Sequence, residues 1–354
     1  MFGIKRKIVA VEVLLIREEV LLAPLTTFGI GGAARYFALA ATESGVAQAI
    51  RWANEKGTEL FVLGGGSNLL VRDSGFAGLV LQIGILGIAA LGDGIFDVGG
   101  GESWDGLVEH VVGLGYAGIE CLAGIPGSVG GTPVQNVGAY GQEVSETIAS
   151  VRAFDRQTDT FVELTKPECR FRYRESLFNT DEPGRYIVTR VRFQLRPGGA
   201  PQLKYADLQK RFSAGATPSL AEVVKIVREI RHSKGMLIVA GEPDCRSAGS
   251  FFKNPIVSLD TFEHVVSIAN GADVPHWPVG EGLVKVPAAW LLEHAGFVKG
   301  YGTGAVGISS RHTLALVNRG GATFADVEEL QAEIVERVKA KFGVKLEREP
   351  VVLS

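Results

Sequence analysis

Apolar residues recur at helical spacing in four segments of the chain. After Thr42, the residues Val46, Ala49, Ile50 and Ala53 fall on one face of a helix that stops before Gly57, and the threonine hydroxyl is placed to cap its first free amides. Ser103 opens a second helix with Leu107, Val108, Val111 and Val112 on one side. Thr217-Pro218 predicts a third, with proline at the first helical position, where an N–H would have no partner anyway. Its apolar stripe is Val223, Val224, Val227 and Ile230, and Lys234-Gly235 closes it. The longest starts at Thr323, carries Val327, Leu330, Ile334, Val338 and Phe342, and ends at Gly343. Strand segments follow a period of two instead. Ile187, Thr189, Val191, Phe193 and Leu195 alternate with Val188, Arg190, Arg192 and Gln194, which predicts a half-buried strand. Residues 59–63 read as a short strand. The tail Val344–Leu353 reads as a last one, with Lys345, Glu347 and Glu349 on one face and Val344 and Leu346 on the other until Pro350 interrupts. The clearest linker is Arg196-Pro-Gly-Gly-Ala-Pro201, which places the main domain boundary.

Two stretches between these segments fit neither period. Residues 123–141 hold six glycines and two prolines in nineteen positions. Glycine is entropically costly inside a helix or strand and proline removes a donor, so this is a loop that exposes backbone amides. Gly64-Gly65-Gly66-Ser67-Asn68 is a second such loop, following the apolar run Leu60–Leu63. Two backbone cradles suit one extended ligand carrying phosphates, such as the dinucleotide FAD. Two other glycine patterns imitate a dinucleotide fingerprint, Gly29-Ile-Gly31-Gly-Ala-Ala34 and Gly113-Leu-Gly115-Tyr-Ala-Gly118. Neither lies between a buried strand and a helix start, so both are read as turns and a Rossmann domain is not expected.

Composition narrows the picture. A chain of 354 residues, 46% hydrophobic and 21% charged, is a folded globular protein with room for two or three domains. Its 46 glycines are nearly twice the ~7% usual share and follow no repeat. A net charge of −3 favours neither nucleic acid nor an anionic membrane. Cys121, Cys169 and Cys245 are widely spaced, which argues against a disulfide framework or zinc site and fits a reducing cytoplasm. His264, His276, His294 and His312 show no metal spacing and read as ordinary surface or core residues; no metal is expected. The apolar stretch 78–91 is too short and too rich in glycine to span a bilayer. Lys5, Arg6 and Lys7 precede an apolar run as in a secretory signal, but Glu12 splits that run and no small-residue cleavage site follows. Residues 1–20 are therefore read as an extension or leading strand.

Three segments carry candidate chemistry. Tyr173-Arg174-Glu175-Ser176 sits among Arg170 and Arg172, either as a solvated basic face or as a guanidinium that holds a carboxylate. Gly249-Ser250-Phe251-Phe252-Lys253-Asn254-Pro255 puts a hydroxyl, an ammonium and an amide in one turn, and Ser250 alone reads as a turn residue. No His-Asp pair accompanies it at nucleophile-elbow spacing. Glu349, on a terminal strand, is by default an exposed charge.

In order, seven segments resemble the UDP-N-acetylenolpyruvoylglucosamine reductase family, flavoenzymes of peptidoglycan precursor synthesis. They are Thr26-Thr-Phe-Gly-Ile-Gly-Gly32, Leu63-Gly-Gly-Gly-Ser-Asn-Leu-Leu70, the loop 123–141, Phe171-Arg-Tyr-Arg-Glu-Ser176, Ser247-Ala-Gly-Ser-Phe-Phe-Lys-Asn-Pro255, Val284-Lys-Val-Pro-Ala-Ala-Trp-Leu-Leu-Glu293 and Leu346-Glu-Arg-Glu349. The resemblance implies an α+β fold: a two-subdomain FAD-binding region of the vanillyl-alcohol-oxidase type and a smaller α+β substrate-binding domain. The corresponding divisions are an extension 1–20, an FAD region 21–198 (subdomains about 21–100 and 101–198), a substrate domain 199–342, and a strand 343–354 returning to the active site. It also implies FAD and NADPH as cofactors, a UDP-sugar substrate, and a cytoplasmic protein, expected to be a monomer without nucleic-acid or membrane partners.

Residue by residue, the family's catalytic arginine, serine and glutamate fall on Arg174, Ser250 and Glu349. Cofactor contacts are expected from Gly64, Gly65, Gly66, Ser67, Asn68 and Leu69, and from Ile125, Pro126, Gly127, Ser128, Gly131, Asn136, Gly138, Ala139 and Tyr140. Substrate contacts are expected from Tyr173, Tyr205, Lys234 and Asn254; Tyr205 matches the substrate-covering tyrosine loop of one subgroup, and Lys234 a lysine facing the diphosphate or the nicotinamide cofactor. Three departures from the family pattern are Arg172, where many relatives have a small residue, Asn179, where lysine is frequent, and a stretch between Lys234 and Ser250 longer than in some relatives. The implied reaction is NADPH-dependent reduction of the enolpyruvyl ether to a lactyl ether. Two other readings stay open from sequence: a flavin oxidoreductase of alcohols or hydroxy acids on the same fold, and a non-catalytic relative that only binds a sugar nucleotide.

Overall fold

Alternation and helical periodicity resolve into two large sheets, their covering helices, and a third core. The computed structural model describes residues 14–354 except positions 214 and 243. Residues 1–13, which include the Lys5–Lys7 cluster and Glu12, lie outside the described residues. The first sheet runs in the order Ile16–Leu21, Ala33–Ala40, Phe76–Ile83, Leu60–Leu63; its first pair is antiparallel and the rest parallel. The helix Glu43–Lys56 makes the crossover. Thr42 accepts a hydrogen bond from the Gly45 amide, and Gly57, at φ 61°, ends the helix in the left-handed conformation that glycine adopts without strain. Val46, Ala49, Ile50 and Ala53 then pack against Leu79, Leu81 and Ile83 of the sheet.

The second sheet is antiparallel throughout, in the order Thr160–Thr165, Ile148–Asp155, Tyr186–Gln194, Ile95–Gly99, Ile88–Gly92. The alternating strand is its centre: Thr189, Val191 and Phe193 are fully buried, while Arg190 and Arg192 on the opposite face stay partly exposed. The helix Trp104–Gly113, capped by Ser103 as expected, packs Leu107, Val108 and Val111 into the same core.

Helix Leu220–Ser233 starts later than the Thr217-Pro218 reading. Its cap is Ser219, whose hydroxyl accepts from the Glu222 amide while the Glu222 carboxylate accepts from the Ser219 amide. That reciprocal box satisfies two free donors, which Thr217 has no glutamate in place to do. Although the helix lies beyond the 196–201 linker, Val223, Val227 and Ile230 bury into the core of the second sheet.

A third core collects Phe251, Phe252, Val284, Leu291, Leu292, Val327, Ile334 and Phe342, together with Phe28 and Ile30 from the amino-terminal region. Phe28 and Ile30 explain the first pseudo-fingerprint: Gly29 and Gly31, at φ 74° and 108°, turn the chain so that both apolar residues plunge inward. The final helix, Phe324–Phe342, has the predicted cap at Thr323 and stop at Gly343.

The tail departs from its predicted form. Residues 344–347 do alternate buried and exposed, but only Val351–Leu353 is a strand, pairing in parallel with Leu69–Val71. Upstream, the Lys253 amide donates to Glu347 O at 2.9 Å and the Glu349 amide to Phe251 O at 2.9 Å. Pro350, without an N–H, separates the two pairings.

Candidate active site

The two glycine loops touch backbone to backbone. A Cβ on Gly65 would stand 2.5 Å from Gly127 Cα, and one on Gly64 would stand 2.8 Å from Ser128 Oγ. Gly66 sits at φ 64° with Leu25 O where a side chain would go. At this junction the Ser128 hydroxyl is buried without a hydrogen-bond partner. Among the described residues the amides of Gly65, Gly66 and Ser67 donate to no protein acceptor either. A buried donor left unpaired costs about 1–3 kcal/mol, and backbone amides free of protein acceptors suit phosphate oxygens. The residues present therefore fit the diphosphate of a dinucleotide cofactor.

Side chains around the junction lock it. Asn68 Nδ2 donates to Gln135 Oε1 at 2.7 Å, tying the first loop to the second, and reaches the backbone oxygen of Glu349 at 3.4 Å. Asn136 is fully buried at φ 44° and its amide is used internally: Nδ2 donates to Glu143 Oε2 (2.9 Å) and Arg172 O (3.0 Å), and Oδ1 accepts from the Ser145 amide. Its side chain shapes the loop and has no donor left for a cofactor. Gly131 ends a short 3₁₀ turn after Ser128, and Gly138-Ala139 pairs with Gln142-Glu143, with Tyr140 at φ 50° in the turn between. Ile125, with Pro126 beside it, leads into the Gly127–Ser128 contact and packs on the second core, and Leu69 begins the buried strand behind the first loop.

Arg174, near the middle of the chain, and Glu349, close to its end, meet here. Arg172 and Glu175 bridge across a tight turn that holds Arg174 at φ 59°. Its guanidinium donates to Gly138 O at 2.7 Å and Asn136 O at 3.3 Å, and its Nε lies 3.2 Å from Glu349 Oε1. The Glu349 side chain is only 15% exposed, which overturns its reading as an exposed terminal charge. Burial raises its carboxyl above the usual range, opposed by Arg174 and Lys253. Ser250 belongs to the same corner: its neighbour Phe251 accepts from the Glu349 amide, and the half-buried Ser250 hydroxyl makes no hydrogen bond to a described residue. Beside them Tyr173 is hydrogen-bonded to Asn254, whose Oδ1 accepts from the Ala288 amide at 3.0 Å. Arg170 and Arg172 point elsewhere, to Asp181, so the arginine cluster divides into one site residue and a surface pair. Asn179 caps the following turn through the Ser176 amide.

Tyr205 and Lys234 form a second group around Tyr140. The Tyr140 and Tyr205 rings meet edge to face at 5.4 Å, and Lys234 Nζ lies 3.1 Å from Asp207 Oδ2 and 5.8 Å from the Tyr205 ring. The brace between this group and the glycine loop is Arg231, a residue the sequence reading missed. It is 8% exposed and donates to Gly124 O at 3.0 Å, to Met236 O at 2.6 Å and to the Tyr140 hydroxyl. The signal was present: Arg231 stands four residues after Val227, on the apolar stripe of its helix. Glu120 was missed too; it is fully buried and accepts from the amides of Gly118 and Gln202 and from Gln142. No group of three or more His, Cys, Asp or Glu side chains converges among the described residues, and none of the described helices is long and apolar enough to cross a membrane.

Paired loops with free amides, near a buried carboxyl and an arginine, fit an FAD-dependent oxidoreductase of the α+β class. Residues 34–165 match the FAD binding domain family, and residues 242–353 match the UDP-N-acetylenolpyruvoylglucosamine reductase C-terminal domain. The chain is 46% identical over 342 residues to the UDP-N-acetylenolpyruvoylglucosamine reductase of Streptomyces avermitilis, covering 94% of this chain and 93% of that one. It is 46% identical over 350 residues to the enzyme of that name from Thermobifida fusca, covering 95% and 98%. The crystal structure of UDP-N-acetylenolpyruvylglucosamine reductase from Thermus caldophilus superposes with a TM-score of 0.68 at 27% identity, covering 97% of this chain and all of that one. The chain belongs to the UDP-N-acetylenolpyruvoylglucosamine reductase family.

Proposed function

We propose that the chain reduces UDP-N-acetyl-3-O-(1-carboxyvinyl)-glucosamine to UDP-N-acetylmuramate with NADPH, through bound FAD, in peptidoglycan precursor synthesis. The observation that carries this is the Arg174–Glu349 contact at 3.2 Å, with Glu349 tied by its amide to Phe251, the residue after Ser250. The loops 64–68 and 123–141 would hold FAD, which would supply hydride transfer from NADPH to the enolpyruvyl double bond. The protein's own groups manage the charge and the proton. Hydride arrival at the terminal carbon sends an electron pair toward the substrate carboxylate, and Arg174 faces that charge with a preorganised cation. Glu349, its carboxyl raised by burial, is held neutral more readily than an ordinary glutamate and can donate a hydrogen bond to the same carboxylate. Ser250 Oγ gives its proton to the carbon next to the ether oxygen. A hydroxyl is a weak acid, but the acceptor is strongly basic, so placement outweighs acidity. Tyr205 and Lys234 would cover and hold the nucleotide end, with Asn254 and Tyr173 beside the reacting end.

The setting proposed is the cytoplasm, in a pathway that serves the cell wall and hence cell shape and division. The free thiols of Cys121, Cys169 and Cys245 suit a reducing compartment, and a monomer suffices because every residue invoked comes from one chain.

Ser250→Ala tests the assignment by stopped flow. Bleaching of the flavin by NADPH is expected to survive, while recovery of colour with the enolpyruvyl sugar nucleotide slows by ~10²–10⁴, as for a lost general acid. Equal losses in both halves reject this role for Ser250. A protein that binds the sugar nucleotide but is never bleached by NADPH would be the non-catalytic relative instead.

A further inference from the structure

Lys234 follows the last turn of the helix Leu220–Ser233, where backbone carbonyls run out of amide partners. The next residue, Gly235, at φ 63°, packs on the turn of residues 309–312: a Cβ there would stand 3.2 Å from Ser309 Oγ and 3.4 Å from Arg311 Cβ. Glu242 joins these two elements. His232 Nε2 lies 3.0 and 2.9 Å from its carboxylate oxygens, and a carboxylate only accepts, so this nitrogen carries the proton. Arg311 Nη2 donates to the same carboxylate at 3.0 Å, while Arg311 Nη1 donates to His232 O at 3.1 Å. The contacts close a ring, and a carbonyl of the helix end gains a cationic donor. His232 and Arg311 together hold the Glu242 carboxyl below the ordinary glutamate range.

Asp244 fastens the other side of the ring. Its Oδ2 accepts from Ser309 Oγ at 3.0 Å, from the Ser310 amide at 2.9 Å and from Ser310 Oγ at 2.6 Å. Ser309 is fully buried, and its oxygen accepts in turn from the amides of Arg311 (3.0 Å) and His312 (3.3 Å). Asp244 thereby shapes the turn that presents Arg311. Both acids come from the stretch between Lys234 and Ser250, the one that is longer than in some relatives. Residues two apart on a helix do not share a face. His232 can therefore grip the helix end while Lys234 stays with its own partners, 3.1 Å from Asp207 Oδ2 and 5.8 Å from the centre of the Tyr205 ring.

We propose that Glu242 is a positioning residue for Lys234: by clasping the helix end to the 309–312 turn, it fixes where the lysine meets the diphosphate of the sugar nucleotide. The inference rests on the assignment of Lys234 to the nucleotide end and adds what sets the place of that residue. Glu242 itself is no diphosphate ligand, because its charge has the wrong sign and both its oxygens are engaged by His232 and Arg311.

The test compares FAD-loaded wild type, Glu242→Ala, Glu242→Gln, Lys234→Met and the double variant Glu242→Ala with Lys234→Met. Three quantities are read: the affinity for UDP-N-acetylglucosamine, which has the diphosphate but no enolpyruvyl group, KM and kcat with the enolpyruvyl sugar nucleotide, and the melting temperature. Glu242→Ala is expected to lose about 3- to 10-fold in affinity for UDP-N-acetylglucosamine, the range for a partly exposed ion-pair network. KM should rise by a similar factor with kcat nearly unchanged, because Arg174, Ser250 and Glu349 are not touched. Glu242→Gln, whose amide oxygen still accepts from one neighbour, should fall between. In the Lys234→Met background, Glu242→Ala should cost nothing more, as for a residue that acts through another. Unchanged UDP-N-acetylglucosamine affinity in Glu242→Ala overturns the inference, and so do additive losses in the double variant. A lower melting temperature with KM and kcat impaired alike would reduce Glu242 to a support of the fold and overturn it as well. If Lys234→Met alone leaves UDP-N-acetylglucosamine affinity unchanged, the placing of Lys234 at the nucleotide end fails, an outcome read without any Glu242 variant.

Discussion

His312 illustrates how much a single side chain owes to its surroundings. Burial, with Lys234 adding to it, pushes its pKa down to about 4, and the Leu314 amide donates to its Nδ1 at 2.9 Å, so the neutral ring carries its proton on Nε2. A folded-state value below the unfolded 6.5 means the stabilising contribution is complete above pH 6.5 and is lost as pH falls through about 4. The full effect is on the order of 3 kcal/mol. His312→Gln should therefore flatten the fall in urea midpoint between pH 7 and pH 4, and an unchanged slope would contradict it. From sequence His312 was one ordinary histidine among several, since nothing adjacent to it announces burial. Glu349 shows the same gap in the opposite direction: an apparent surface charge whose carboxyl is raised because the fold encloses it. Arg174, Ser250 and Glu349 were legible as types through their motifs; the meeting of Arg174 with Glu349 was not, because no local pattern relates them.

Elements were read best where a period and a cap agree. The helices after Thr42, Ser103 and Thr323 begin where expected, since a hydroxyl at the cap and an apolar stripe are both encoded within a few residues. The helix of residues 220–233 was found but started at the wrong residue, because proline at 218 suggested an opening that the Ser219–Glu222 box supplies instead. Ser219→Ala removes the hydroxyl that accepts from the Glu222 amide, and a loss of about 1 kcal/mol in chemical denaturation is expected. Thr217→Ala, two residues earlier, should change nothing measurable. The tail was over-read as a strand because Val344 and Leu346 alternate with exposed neighbours, although only Val351–Leu353 joins a strand ladder.

At the scale of the molecule, different hydrophobic clusters anchor the two glycine loops, Leu63 and Leu69 flanking the first and Ile125 and Val129 set in the second. The contact between Gly65 and Gly127 lets the loops form one cradle, and a methyl group on Gly65 would stand 2.5 Å from Gly127 Cα. Gly65→Ala should separate the loops and weaken FAD binding by about 10-fold or more, read as flavin lost on gel filtration, with the circular dichroism of the fold retained. Full retention of flavin would show that the loops need not touch. The sequence by itself determined the helices with their stripes, the two amide-rich loops and the kinds of side chain available for the chemistry, because each depends on residues close along the chain. Only the tertiary structure decided that the loops face each other and that Glu349 is buried against Arg174. Burial and charge balance depend on what distant segments bring to one place, and that is settled when the cores pack.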